Sequence, residues 1–130
     1  MSYDREEIVE AFEAVKKTFV DRDWGSVVDF FTEDCVFTNP LLPEPIEGKA
    51  ALRAFTRTWP DVTNRVEWDV IDKDRAVACW VENPPGVPVD GVSYRGVSVW
   101  TYAGNGLFSH YEGFFDTAYY LSVYEALGNE

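Results

Sequence analysis

With 130 residues, 46% of them hydrophobic, the chain has enough apolar surface for one domain, residues 1–130, built around one core. Its formal charge of -12 argues against binding to a phosphate backbone or to an anionic membrane surface, because both need clustered Lys and Arg and the eleven basic residues form no patch in the sequence. Rings make up 16% of the residues, so much of the buried area must be aromatic, at roughly 150–250 Å² per ring.

Asp4 followed by Glu7 has the form of a capping box, and Ile8, Phe12, Val15 and Phe19 then recur at helical spacing, which predicts an amphipathic helix from residue 4 to about 21. Asp23 can cap a second, shorter helix through Phe31. Thr32-Glu33-Asp34 reads as an acidic turn before a short strand, Cys35 to Thr38. The loop from Asn39 to Glu47 holds three prolines and two leucines, a composition that predicts Leu41, Leu42 and Ile46 folding back over an apolar opening. Gly48 precedes a third helix, with Ala51, Leu52, Phe55 and Trp59 on one face and Pro60 after its end.

Beyond Pro60 the period changes to two. Val66, Trp68 and Val70 alternate with Glu67 and Asp69, a strand with one wet face; Asp72-Lys73-Asp74 is a turn and Arg75 to Glu82 the next strand. Three prolines and two glycines make Asn83 to Gly91 a long hairpin loop. Ser93 to Ala103, a tight turn at Gly104-Asn105-Gly106, and Leu107 to Phe115 form an antiparallel hairpin; Asp116 then caps a closing helix that carries Tyr119, Tyr120, Val123, Tyr124 and Leu127. Helices followed by consecutive strands predict an α+β fold in which a curved antiparallel sheet wraps around N-terminal helices as a cone with an interior pocket.

Cys35 and Cys79 lie in apolar strand-like runs with no metal-ligand or CxxC spacing, which predicts buried free thiols in a reducing compartment. With one histidine, His110, no ordinary zinc site is expected, and neither a metal nor a cofactor is implied. The polar start Met1-Ser2-Tyr3-Asp4 lacks the apolar core of a secretion signal, and no stretch approaches the ~18 apolar residues of a membrane span, so a cytoplasmic protein is expected.

The helix end Asp21-Arg22-Asp23-Trp24, the stretch Phe31 to Pro40, Gly48-Lys49-Ala50-Ala51-Leu52 and the closing strand Gly106 to Asp116 together resemble the nuclear transport factor two-like superfamily, in particular its SnoaL-like branch of polyketide cyclases, ketosteroid isomerases and limonene epoxide hydrolases. The resemblance covers nearly the whole chain. It implies a cofactor-free protein that takes a small, largely apolar molecule, polycyclic or terpenoid in class, for isomerisation, cyclisation or epoxide hydration. The aspartate that moves a proton in the isomerases corresponds to Asn39 here, and their tyrosine donor falls near Val15. Of the groups that position water in the epoxide hydrolases, Phe37 stands for the tyrosine, Asn39 for the asparagine, Trp80 and Glu82 for an arginine and aspartate, and Gly113 for the closing aspartate.

Glu82 is two residues beyond Trp80 on a strand whose Ala76 and Ala78 share its face, which predicts a partly desolvated carboxylate able to act as acid or base. Asn39 either orients water or a carbonyl, or forms an Asx turn before Pro40. On the closing strand Ser109, Tyr111, Gly113 and Phe115 share one face, with His110, Glu112 and Phe114 on the other. If the first set faces inward, Tyr111 is a hydrogen-bond donor and Glu112 enters only through a bulge. The candidate catalytic set is therefore Glu82, Asn39 and Tyr111; the candidate lining is Phe37, Leu41, Phe55, Trp59, Trp80, Trp100 and Phe115. Neither face of the long strand is clearly wet, which predicts a homodimer through the sheet. A non-catalytic ligand-binding or assembly module with the same hole remains the alternative, and a ring-filled structural dimer the third reading.

Overall fold

The computed structural model describes residues 3–128; Met1, Ser2, Asn129 and Glu130 lie outside the described residues. Helix α1 (Arg5–Val20) begins at Asp4, whose carboxylate accepts from the Glu6 amide at 3.0 Å, and it buries Ile8, Ala11, Phe12 and Val15 at helical spacing. The four-residue α2 (Trp24–Val27) follows, capped by Asp23, and passes into a 3-10 turn over Val28–Phe30. The chain then turns extended at Phe31, so strand β1 (Phe31–Thr38) starts four residues earlier than expected and absorbs the predicted acidic turn.

After the two-residue β2 (Ile46–Glu47) come α3 (Lys49–Thr56), β3 (Thr63–Asp72), β4 (Arg75–Asn83), β5 (Tyr94–Gly104), β6 (Leu107–Phe115) and α4 (Thr117–Gly128). They build an α+β fold with one curved, unclosed six-stranded sheet in the order β2-β1-β6-β5-β4-β3. The expected antiparallel pairing holds for β3 through β6 and for β1 with β2. One pair departs from it: β1 runs parallel to β6, because the first strand reaches the last through a long crossover rather than a hairpin. Periodicity reveals which way side chains face, not which strand comes alongside.

A bulge and an early helix end correct two further expectations. Between Val66 and Trp68 the β3–β4 register shifts, so the chain beyond Glu67 changes phase. Val66 lies opposite Trp80 on the inner face, but Asp69 and Ile71 then take that face, and Trp68 and Val70 point outward, 52% and 54% exposed. Asp69, though turned to that face, stays exposed and pairs with Lys16 of α1. In α3 the helix ends at Thr56, ahead of Trp59, and Thr56 is buried where Ala51 is exposed.

The core lies between α1 and the concave face of the sheet, where Phe12, Phe31, Trp100 and Phe108 meet edge-to-face or tilted. A second, smaller cluster of Trp80, Tyr94 and Val123 seats α4 against the ends of β4 and β5. Cys35 and Cys79 are both buried free thiols. The long hairpin loop is pinned by buried Asn83, whose amide nitrogen donates to the Val92 carbonyl at 2.9 Å while its oxygen accepts from the Thr63 hydroxyl at 3.1 Å. At the β5–β6 turn Asn105 and Gly106 both have positive φ, 57° and 76°, which lets a two-residue turn follow the twist of the strands.

Candidate functional site

Between the concave face of the sheet, the α3 end and α4 lies a cavity of about 310 Å³, lined by rings from every side. Residues 39–42 form one rim. Asn39 ends β1 in an Asx turn, its side-chain oxygen accepting from the Leu41 amide at 2.9 Å, and this turn brings Leu41 and Leu42 to the opening. Phe37 stacks on Tyr111 at 4.2 Å with an interplanar angle of 7°, so β1 and β6 share one flat aromatic wall. Phe55 and Trp59 close over it from the α3 side, and Trp80 and Phe115 from the sheet.

Six of the seven predicted lining residues, Phe37, Leu41, Phe55, Trp59, Trp80 and Phe115, are on this cavity wall. Trp100 is not. It is 3% exposed, its indole N–H donates to Ser98 Oγ at 3.0 Å, and it reaches only an adjoining recess of about 30 Å³ next to α1. Alternation along β5 correctly turned Trp100 inward, but inward here means beneath α1.

Glu82, Asn39 and Tyr111 all line the cavity. Glu82 accepts from the Asn64 amide nitrogen at 3.0 Å and is engaged by the Tyr94 hydroxyl from the directly opposed position on β5. Its carboxyl is pushed above the usual glutamate range by desolvation, with the Asn64 and Tyr94 hydrogen bonds pulling back down. The Tyr111 phenol is held well above its ordinary value, first by burial and then by the nearby Glu82 charge, against a bond from Ser98. Burial and the Glu82 charge likewise raise Tyr94, and Tyr120 is pushed up to about 12 by burial and by Tyr124 beside it. These three phenols stay protonated at neutral pH, and of them Tyr94 donates to the carboxylate.

Tyr94, Asn64, Tyr120 and Tyr124 were not anticipated. Tyr94 Oη lies 3.0 Å from Tyr124 Oη of α4. A phenol has one proton, so when Tyr94 donates to an ionised Glu82 the Tyr124 hydroxyl must donate to Tyr94. A chain of hydrogen bonds thus runs from the cavity carboxylate to the closing helix. The sequence held a signal for it: a strand ending at Glu82 and another starting near Ser93 place an acid and a tyrosine across a hairpin.

His110 and Glu112 are exposed on the outer face of β6. The β6 irregularity lies upstream, where the β5 register shifts between Thr101 and Tyr102, so it does not swing Glu112 inward. Gly113 stays inside. An added Cβ there would lie 3.2 Å from Tyr111 Oη and 3.5 Å from Asn39 Cβ, so this glycine leaves the space over which Tyr111 leans. Among the described residues no group of three or more His, Cys, Asp or Glu side chains could hold a metal ion, and no helix is long and apolar enough to cross a membrane.

Chemically, the cavity offers one carboxylate of raised proton affinity, phenolic donors on two sides and otherwise apolar walls. Such a set can withdraw a proton from an acidic C–H bond and donate hydrogen bonds to the oxygen on which charge develops.

Several solved structures share this fold. A candidate ketosteroid isomerase from Kribbella flavida DSM 17836 is 20% identical, with 85% of this chain and 78% of that chain covered at a TM-score of 0.72. An NTF2-like protein of unknown function from Burkholderia pseudomallei K96243 is 21% identical over 89% and 95%, at 0.76. TerC, co-crystallised with polyporic acid, is 21% identical over 92% and 98%, at 0.75. At such identity these show the fold alone, and no curated protein matches the chain in sequence. Residues 7–111 match the SnoaL-like domain across its helices, the β1 strand-loop and the sheet up to Tyr111, and the chain belongs to that family.

Proposed function

We propose that this SnoaL-like protein encloses a small, largely apolar molecule bearing a carbonyl or enol and moves a proton on it without a cofactor, as an isomerase or cyclase does. Glu82 is the acid/base group, Tyr111 the donor to the substrate oxygen, and Asn39 positions the rim that admits it. The observation that carries this reading is Glu82 itself, a desolvated carboxylate on the wall of an otherwise aromatic cavity. About 310 Å³ suits a compound of two or three rings, near the lower end of ligand pockets. The polyporic acid bound by TerC and the isomerase assignment of the Kribbella protein lend support. Epoxide hydration fits less well, because Phe37 has no hydroxyl and Trp80 no guanidinium with which to hold the water or the epoxide.

The alternative is a binding module without chemistry, favoured by one detail: the Asn39 oxygen is already committed to the Leu41 amide, and Glu82 to Asn64 and Tyr94 rather than to Asn39 or Tyr111. Solvent-deuterium exchange separates the two. Bicyclic and tricyclic ketones that raise the melting temperature are incubated with protein in D2O. Faster deuterium uptake at the carbon next to the carbonyl supports proton transfer, whereas protection with no exchange for any bound ketone leaves the binding module.

The same proposal includes a homodimer through the outer face of the sheet. Trp68, Cys79, Val97 and Phe114 form one row across four strands, with Trp68 and Phe114 52% and 47% exposed, and Val70, Val77 and Val99 form the next. An apolar face of this extent is ordinarily covered. Sedimentation velocity is expected to show a dimer that Trp68→Glu converts to a folded monomer; a wild-type monomer at high concentration contradicts it.

A further inference from the structure

Ser98 is a buried hydroxyl on the concave face of β5 to which the chemistry proposed above gives no task. There β5 and β6 set four residues in a block, Trp100 directly opposite Tyr111 and Ser98 directly opposite Gly113. Both rings of the block lean toward its ringless row. Trp100 donates its indole N–H to Ser98 Oγ at 3.0 Å, and Tyr111 extends over Gly113, where an added Cβ would lie 3.2 Å from its Oη. The indole N–H, the serine hydroxyl and the phenol therefore meet in one place. Ser98 and Tyr111 border the same recess of about 30 Å³ beneath α1, and Tyr111 borders the cavity as well.

An indole N–H can only donate, so Ser98 Oγ accepts from Trp100 and has one proton of its own to give. Its neighbours across the sheet, Ala78 on β4 and Gly113 on β6, carry no polar side-chain atom. Glu82, which also borders the recess, takes its hydrogen bonds from Asn64 and Tyr94. That leaves Tyr111 Oη as the acceptor. Burial and the Glu82 charge raise the proton affinity of this phenol and the bond from Ser98 lowers it, the sense expected when the serine donates. With the serine proton on its oxygen, Tyr111 keeps its own proton for the cavity. We infer that Ser98, anchored by Trp100, is a positioning residue that turns the Tyr111 O–H toward the substrate oxygen. The inference rests on Tyr111 being the donor in the proposed reaction, and it extends that donor into a chain running from Trp100 through Ser98 and Tyr111 to the substrate. In such a chain each bond polarises the next as charge develops on the substrate oxygen.

The test uses the full chain and 2-acetonaphthone, a bicyclic ketone with exchangeable C–H bonds beside its carbonyl, and reads its deuterium exchange, its affinity and the carbonyl stretch of the bound ketone. Ser98→Ala is expected to slow exchange about tenfold, with affinity changed by less than about twofold, and to return the stretch toward its solution value. Ser98→Thr, which keeps the hydroxyl, should restore the rate. In a Tyr111→Phe background Ser98→Ala should cost nothing further, whereas a merely structural loss would slow both backgrounds alike. In the ligand-free protein the Tyr111 13Cζ resonance should move in Ser98→Ala and stay in place in Ser98→Thr. An exchange rate that falls in Tyr111→Phe but not in Ser98→Ala, or effects of the two that add in full, overturns the inference and leaves Tyr111 as the donor. No effect of Tyr111→Phe overturns both. Failure of the ketone to bind counts against the proposed function, and the 13Cζ resonance then decides the inference alone: unmoved in Ser98→Ala, it overturns it.

Discussion

Gly96→Ala is expected to destabilise the protein by about 2–4 kcal/mol, which lowers the melting temperature by roughly 10 °C in a domain of this size. The reason is steric. A Cβ at position 96 would lie 2.4 Å from Trp80 Cζ2 and 2.6 Å from the Phe114 carbonyl oxygen. The oxygen is fixed in the β5–β6 ladder, and the indole is wedged against Tyr94 and Phe115, so neither can retreat cheaply. Trp80 is also a cavity wall, so the variant should lose ligand affinity together with stability. Gly25→Ala is the control, since its Cβ would meet nothing nearer than 4.0 Å. Thermal unfolding followed by circular dichroism decides: equal melting temperatures for Gly96→Ala and wild type would mean that the indole does not press on β5.

Glu82→Gln is expected to reduce the rate of deuterium exchange by about 10²–10⁴-fold, the usual worth of a positioned acid or base. Glutamine keeps the volume of the side chain and can still accept from Asn64 and Tyr94, so ligand affinity should change only a few-fold. The wild-type rate should rise with pH as Glu82 loses its proton, with a midpoint above the ordinary glutamate range because desolvation holds that proton more tightly. An undiminished rate in the variant removes Glu82 from the mechanism. A fall in affinity that matches the fall in rate would instead assign Glu82 to binding.

What could be read in the sequence was what depends on neighbours along the chain. The capped, periodic α1 follows from Asp4 and the spacing of Ile8, Phe12 and Val15; the Gly104-Asn105-Gly106 turn follows from residue types that accept the positive φ it adopts; the inward set Ala76, Ala78, Trp80 and Glu82 follows from strand parity. Parity also separated Tyr111 from His110. It failed wherever the register between two strands shifts. The bulge at Glu67 sends Trp68 outward and Asp69 inward, and the shift between Phe31 and Val36 converts an apparent turn into strand. Nothing in either stretch marks the shift, because a bulge is set by how two strands meet. Of the groups around Glu82, Tyr94 alone had a signal in the sequence, across the β4–β5 hairpin; Asn64 comes from β3 on the other side of β4, and Tyr124, which bonds Tyr94, from a helix that packs back over the cavity.

Acid/base chemistry in this cavity requires that Glu82 be a desolvated acid inside it. Its carboxyl carbon can be followed directly by 13C NMR through a pH titration of the wild-type protein, with Glu82→Gln used to assign the resonance. The predicted midpoint lies above that of glutamate in an unfolded chain. By linkage, the native state then binds more protons between the two values, and stability falls as the pH rises from the unfolded midpoint to the folded one. Glu82→Gln should accordingly gain melting temperature relative to wild type above that window and show no gain below it. A carboxyl that titrates at or below the unfolded value would place Glu82 in water and contradict the assignment of acid/base chemistry to this cavity.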